Sequence, residues 1–283
     1  MVSDLVAVPV LLVTLGFVGL YTGWKRRGIH AQMASVDPTP IRELASPGTV
    51  ELEGTATPVG DPFVAPLTDR EAVVAAWTVE EWDERGDRGN WREVARGIES
   101  PGFELDDGTG TVDVAPVSKR DTAGKWTQTT GVSAADGVRL DDVLVEFDSF
   151  PVQEELGPDE DPPESVRRLH RDHGLYEDTG SVTNAVDIGK KHGRRRYFAR
   201  VIEPGDETYV LGHVRARDDR HPERFRPAEA VVTAPDDGLL IFSNQDAASL
   251  EGEFASSAKA RLAGGTVSVV VGVVIGLVLL GVL

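Results

Sequence analysis

Cysteine is absent from this 283-residue chain, and with it go disulfide staples, Cys-ligated zinc, thiol redox chemistry and a cysteine nucleophile. Lysine is scarce, six residues against 23 arginines, and 47 acidic side chains leave a net charge of −18. No large cationic surface is available to neutralise a phosphate backbone, so nucleic acid is not expected as a partner. Excess carboxylate with little lysine suits a protein that stays hydrated in molar salt, where the Debye length falls to about 3 Å and self-repulsion is tolerated. The acidity therefore reads as adaptation to a high-salt host rather than as a cation site. The chain is long enough for one or two domains with a real core.

Two stretches lack charge altogether. Leu5 to Trp24 is an uncharged run of 20 residues, about 30 Å long as a helix, which matches the hydrocarbon core of a bilayer. Pro9 lies near its entry end, where a lost backbone hydrogen bond costs little, and Tyr21 and Trp24 stand at the far end, where amphipathic rings favour the headgroup layer. A cleaved signal peptide would carry Lys or Arg before the apolar run; here Met1 to Asp4 has none. The second run is Leu262 to Leu283. Lys25, Arg26 and Arg27 follow the first span and Lys259 and Arg261 precede the second, so the positive-inside rule puts the intervening region in the cytoplasm. Both runs carry Gly-x-x-x-Gly, Gly19 with Gly23 and Gly272 with Gly276, a spacing that lets helices approach closely in a packed hairpin or a homo-oligomer.

The expected organisation is a transmembrane helix over 5–24, a juxtamembrane linker over 25–44, a β-rich domain over 45–250, a juxtamembrane helix over 251–261 and a second span over 262–283. The fold class is then a β-rich α+β soluble domain between two transmembrane α-helices. Val50 to Ala56, Ala72 to Glu80 and Val143 to Phe147 show strand patterning. Phe103 to Val114 places apolar residues either side of Asp107-Gly108 and Gly110, which predicts a hairpin. The acidic, Pro-rich Pro151 to Pro163 reads as a solvated loop, and Glu164 to Asp172 as a short helix opened by the preceding prolines. Arg195 to Val201 and Glu207 to Val214 flank Pro204-Gly205-Asp206 as a second expected hairpin. Leu239 to Phe242 is the last strand, and Asp246 to Arg261 suits a helix running into the second span.

Signals for chemistry are sparse. Lys190, Lys191, Arg194, Arg195 and Arg196 form the densest basic patch, readable as a headgroup or acidic-partner contact or as a solvated turn. His170 and His173 have the spacing of two metal ligands but lack a third, and no H-E-x-x-H is present. Asp106 to Gly110 lacks the ligand spacing of a calcium loop and the Lys-Ser/Thr of a P-loop, and there is no G-x-S-x-G elbow. No cofactor and no metal are expected, and no catalytic residue is assigned.

Taken in order, these segments resemble the GIDE domain, also called BAM (beside a membrane), of mitochondrial membrane ubiquitin ligases. The matching pieces are Gly54-Thr55-Ala56, Ala65-Pro66-Leu67 ahead of Ala72 to Glu80, Phe103 to Val114, and Tyr197 to Gly212, followed by a strand at Leu239 to Ser243. The resemblance implies a protein-binding domain held beside a membrane by two spans. It does not extend to ligase chemistry, because a RING zinc site needs the cysteines this chain lacks. The reading is a two-span membrane protein that binds or scaffolds an unknown protein partner. An enzyme related to ubiquitin-like conjugation and a structural membrane organiser are the alternatives. The expected contacts are the basic patch and the Phe103 to Val114 hairpin.

Overall fold

A computed structural model describes residues 2–83, 89–121, 136–175, 193–218 and 223–280. In chain order the elements are α1 (Val2–Met33), β1 (Gly48–Pro58), β2 (Phe63–Val64), β3 (Glu71–Ala72), β4 (Val74–Asp83), β5 (Asn90–Ser100), β6 (Phe103–Asp106), β7 (Thr111–Val114), β8 (Val117–Asp121), β9 (Gly137–Leu140) and β10 (Val143–Glu146). Then come β11 (Val152–Leu156), α2 (Glu164–His173), β12 (Arg195–Ile202), β13 (Glu207–Ala216), β14 (Ala230–Thr233), β15 (Leu240–Ser243) and α3 (Ala247–Leu279). The chain forms two compact units, one of α1 with α3 and one of the strands with α2. A β-rich domain between two terminal apolar helices is thus what this sequence builds.

Five strands of the β unit close on themselves. β1 pairs with β6, β6 with β7, β7 with β14, β14 with β13, and β13 returns to β1, every pair antiparallel except β7 with β14. Closure leaves these strands few free edges. β13 is long enough to hold β14 through His213–Ala216 and β15 through Tyr209–Leu211 on one edge, and β15 carries on to β10 and β9. Alternate residues of the ring point inward, among them Leu52, Phe103, Leu105, Val112, Val210 and Val232, all at most 1% exposed.

A second, all-antiparallel sheet runs β11-β12-β4-β5-β8. Its central strand β4 is buried on both faces, and the period of two sorts the side chains. Val74 and Ala76 join the main core, while Trp77 and Val79 pack with Val166 and Leu169 of α2. Pro162 and Pro163 set up the start of α2, Glu164 and three basic residues suit its two ends, and Gly174 closes it with φ of 64°.

Three expectations are corrected. β12 and β13 do not form a hairpin; they belong to different sheets. The Pro204-Gly205-Asp206 turn is bonded to β1 instead, through Gly205 N to Ala56 O (2.8 Å) and Ala56 N to Asp206 O (2.9 Å), so the chain crosses from one sheet to the other there. The stretch after Pro151 is not all loop. Val152–Leu156 forms an edge strand, where charged residues are tolerated and where Glu155 meets Arg194 and Arg196. Residues 25–33 are not linker but continue α1, because their buried positions keep the spacing of the helix seam.

Candidate functional site

α1 and α3 pack antiparallel along a seam that advances by sevens: Gly16, Gly23 and His30 on one helix, and Ala258, Gly265 and Gly272 on the other. A Cβ on Gly16 would fall 2.8 Å from the Gly265 carbonyl oxygen, one on Gly19 3.1 Å from the Gly265 Cα, and one on Gly23 3.0 Å from the Leu262 nitrogen. A Cβ on Gly272 would lie 2.9 Å from the Pro9 oxygen, whereas Gly276 would meet only Pro9 Cβ, at 3.8 Å. The spacing argument therefore found Gly19, Gly23 and Gly272, and these serve close approach within one chain. It missed Gly16 and Gly265, which are legible only when the seam is read at seven residues rather than four.

Beyond the apolar stretch the same seam turns polar. Arg26, 0% exposed, donates through Nη1 to Ser257 Oγ (3.0 Å) and lies over the Phe254 ring. One turn on, His30 Nε2 is 3.5 Å from Glu251 Oε1. Outward-facing Leu11, Leu15, Phe17, Val270, Val274 and Val278 are each more than 45% exposed, forming an apolar band on the helix pair. Both helices are long and apolar enough to cross a membrane.

In the β unit the basic patch is part of a charge ladder. Arg194 Nε lies 2.7 Å from Glu155, Arg195 Nε donates to Glu81 Oε2 (3.2 Å), and Arg196 lies 3.5 Å from Glu155 with its guanidinium 3.9 Å from the Trp91 ring centroid. Lys190 and Lys191 lie outside the described residues. Burial pushes the Glu80 carboxyl up, and Arg196 pulls it part of the way back. The Phe103 to Val114 hairpin is interior: both its strands are paired on both edges and its four apolar side chains are buried. Its turn has a structural task, since Asp107 accepts from the backbone of Ile41 (2.8 Å), Thr109 (2.7 Å) and Gly110 (3.1 Å). Burial, the largest single influence, raises the Asp107 carboxyl, but the bonds from Ile41, Thr109 and Gly110 together outweigh it and hold it below its ordinary value.

His170 and His173 do not converge. His170 Nε2 is 3.0 Å from Tyr197 Oη, and His173 Nε2 is 3.1 Å from Glu99 Oε1 with its ring 4.8 Å from that of Trp77. Trp77 stands opposite Gly97 in the β4–β5 ladder and diagonal to Glu99, so its indole lies over the glycine and donates to Glu99 Oε1 at 3.0 Å. Burial pushes the Glu99 carboxyl up, but the bonds from His173 and Trp77 and the neighbouring charges of His173 and Arg120 hold it below its ordinary value. This cluster fastens α2 to the sheet. Among the described residues no three His, Asp or Glu side chains are placed to hold a metal.

Where the chain changes sheets there is a polar cleft of about 380 Å³ lined by Arg70, Arg200, Glu203, Asp206, Glu207 and Asn244. Arg70 pairs with Glu203, Arg200 donates to Asp148 (3.0 Å), Thr55 donates to Glu207 (3.1 Å), and Asn244 and Asp148 exchange bonds of 3.0 Å in both directions. Burial raises the Asp206 carboxyl against the pull of Arg70 and Arg200. A carboxyl tuned upward beside guanidinium groups has the makings of a proton donor, yet its Oδ2 is engaged by the Glu203 N–H (2.9 Å) and the cleft reads as a clamp between the sheets. Sequence reasoning did not find it, because its lining comes from three separate segments, around residues 70, 200–207 and 244. Comparison with family models, with curated proteins and with solved structures returns no match for this chain.

Proposed function

We propose that this chain is a two-span membrane protein that presents a β-rich docking domain on the cytoplasmic side for a protein partner, with no ubiquitin-ligase chemistry of its own. The observation that carries the reading is the α1–α3 pair: close-packed through glycine inside, apolar and exposed outside, and continuing into a polar coiled segment. The GIDE-like reading is kept as part of the proposal. It rests on the resemblance of the sequence segments alone, and the late hairpin that resemblance leaned on is not formed, since β12 and β13 lie in different sheets.

The docking edge is assigned to β11. It is the outer strand of its sheet, and among the described residues nothing pairs with its second edge. An extended partner segment adds to such an edge through main-chain hydrogen bonds. Two measurements test the reading. A single cysteine at Asp159, beside β11 and unique in the chain, is expected to react with a membrane-impermeant maleimide only after cells are lysed. Crosslinking from the same cysteine is expected to capture a defined partner from native membranes. Release of the protein by alkaline carbonate would refute the anchor, and labelling of intact cells would refute the orientation.

A further inference from the structure

The distribution of charge along the helix pair is unlike that of the rest of the chain. Of 47 acidic residues, none falls between Leu5 and Val36 and none after Glu253, although these two segments make up the whole apolar pair. Five basic residues lie inside that acid-free zone. Arg26 is turned into the seam; Lys25, Arg27, Lys259 and Arg261 are not. The helix register puts these four at one level. Gly23 meets Leu262 and Arg26 meets Ser257, so Lys25 and Arg27 on α1, and Lys259 and Arg261 on α3, fall in or beside a slab about one helical turn thick.

Arg27 and Lys259 are exposed, Lys25 and Arg261 half-exposed, and among the described residues no ion pair engages any of them. Lys25 lies 5.0 Å from the centroid of Tyr21, and Trp24, 68% exposed, stands at the same level with its indole outward. Cations and interfacial aromatic rings ring the helix pair where the apolar band ends. A partner for this collar must be anionic, must surround the pair and must leave an apolar zone directly beneath.

We infer that Lys25, Arg27, Lys259 and Arg261 form a collar that binds the phosphate headgroups of anionic membrane lipids. The inference rests on the reading of α1 and α3 as membrane spans, and it adds a selectivity for lipid charge that spanning alone does not require. Arg26 is excluded from the collar because its guanidinium is used between the helices. In a protein of net charge −18 the collar also supplies the local attraction that the acidic remainder opposes at an anionic surface.

The test places the full-length protein in nanodiscs of phosphatidylcholine mixed with phosphatidylglycerol and measures, with spin-labelled lipids, the relative association of each class with the protein. Each Lys or Arg at an anionic surface is worth roughly fivefold, so the wild type is expected to prefer the anionic lipid by about tenfold or more in low salt. The variant K25Q/R27Q/K259Q/R261Q is expected to fall to near parity, and the charge-retaining K25R/R27K/K259R/R261K to keep the preference. Equal association in the wild type, or an unchanged preference in the glutamine variant, overturns the collar. Inorganic phosphate is expected to weaken the preference no more than chloride at equal ionic strength; a larger effect would make this a site for free phosphate and overturn the lipid assignment. Retention of wild type and variants after an alkaline wash is scored separately. A wild type that washes out refutes the spans and the collar together, whereas a retained protein without lipid preference refutes only the collar.

Discussion

The Trp77–Gly97 contact permits the sharpest test of how the β unit is held together. A Cβ at residue 97 would lie 2.6 Å from the Trp77 indole nitrogen, about 1 Å inside ordinary contact. The ring has no free direction in which to yield: it is fully buried, its nitrogen is bound to Glu99, and its face meets His173. Forcing a methyl into such a site costs about 1–3 kcal/mol, and shifting the indole also weakens a hydrogen bond to a charged acceptor, which carries about 1.5–3 kcal/mol when intact. Against this, alanine stiffens the unfolded chain and returns about 0.4–1 kcal/mol. The net expectation for G97A is a loss of about 2 kcal/mol, or roughly 4–8 °C in the unfolding midpoint of a domain this size. Near-UV circular dichroism on the purified full-length protein follows the tryptophan directly. In a double-mutant cycle with W77F the two changes should be less than additive by about 1 kcal/mol, since the smaller ring removes the clash. A midpoint for G97A equal to or above wild type, or strict additivity in the cycle, would falsify this account of the cluster.

Other consequences are open to measurement. Because the Glu99 carboxyl titrates below its ordinary 4.5 in the folded state, its contribution is present above that value and is lost as the pH falls through the folded pKa. The protection of α2 amides, corrected for the intrinsic pH dependence of exchange, should therefore fall on acidification, and E99Q should show low protection that changes little with pH; an unaffected α2 would contradict the fastening role. D107A removes three backbone bonds to a carboxylate and should cost about 1.5–3 kcal/mol, with faster exchange at Ile41 and Gly110 as the local sign. G265L sets a side chain against the backbone of Gly16 and Leu20, which cannot rotate away. Disulfide formation between cysteines at His30 and Glu251 should be rapid in the otherwise wild-type chain and much slower with G265L, and equal rates would show that the glycine seam does not set the register.

Much of this architecture was written in local patterns. The β6–β7 hairpin, α2 between its prolines and Gly174, and the run of α3 from Ala247 into the apolar stretch all follow from periodicity and punctuation within a dozen residues. What escaped depends on distant pairing. Arg195–Ile202 and Glu207–Ala216 look like hairpin partners because a Pro-Gly-Asp turn joins them, and nothing local says that β4 and β1 have taken the adjoining edges. β11 hides because glutamates mask an edge strand that survives through arginines some 40 residues away. The basic patch is visible as charge, but its pairing with Glu81 and Glu155 is not. Arg26, turned into the helix seam, is indistinguishable in sequence from Lys25 and Arg27.

The closed ring of strands also fixes when the domain can form during synthesis. β1 emerges early, yet the strand that covers most of its length, β13, follows about 160 residues later. At roughly 5–20 residues per second the ribosome needs on the order of ten to thirty seconds to deliver it. Through that interval β1 has β6, along Thr55–Pro58, and a bridge from Pro38 to Glu51, and the ring stays open. The first apolar helix has by then left the ribosome, while its partner α3 follows β13 by about 30 residues. The ring therefore stays incomplete between the making of β1 and of β13, and the helix pair cannot close until α3 follows. Delayed completion of this kind calls for a soluble intermediate, and a surface crowded with carboxylates keeps such a chain dispersed while it waits.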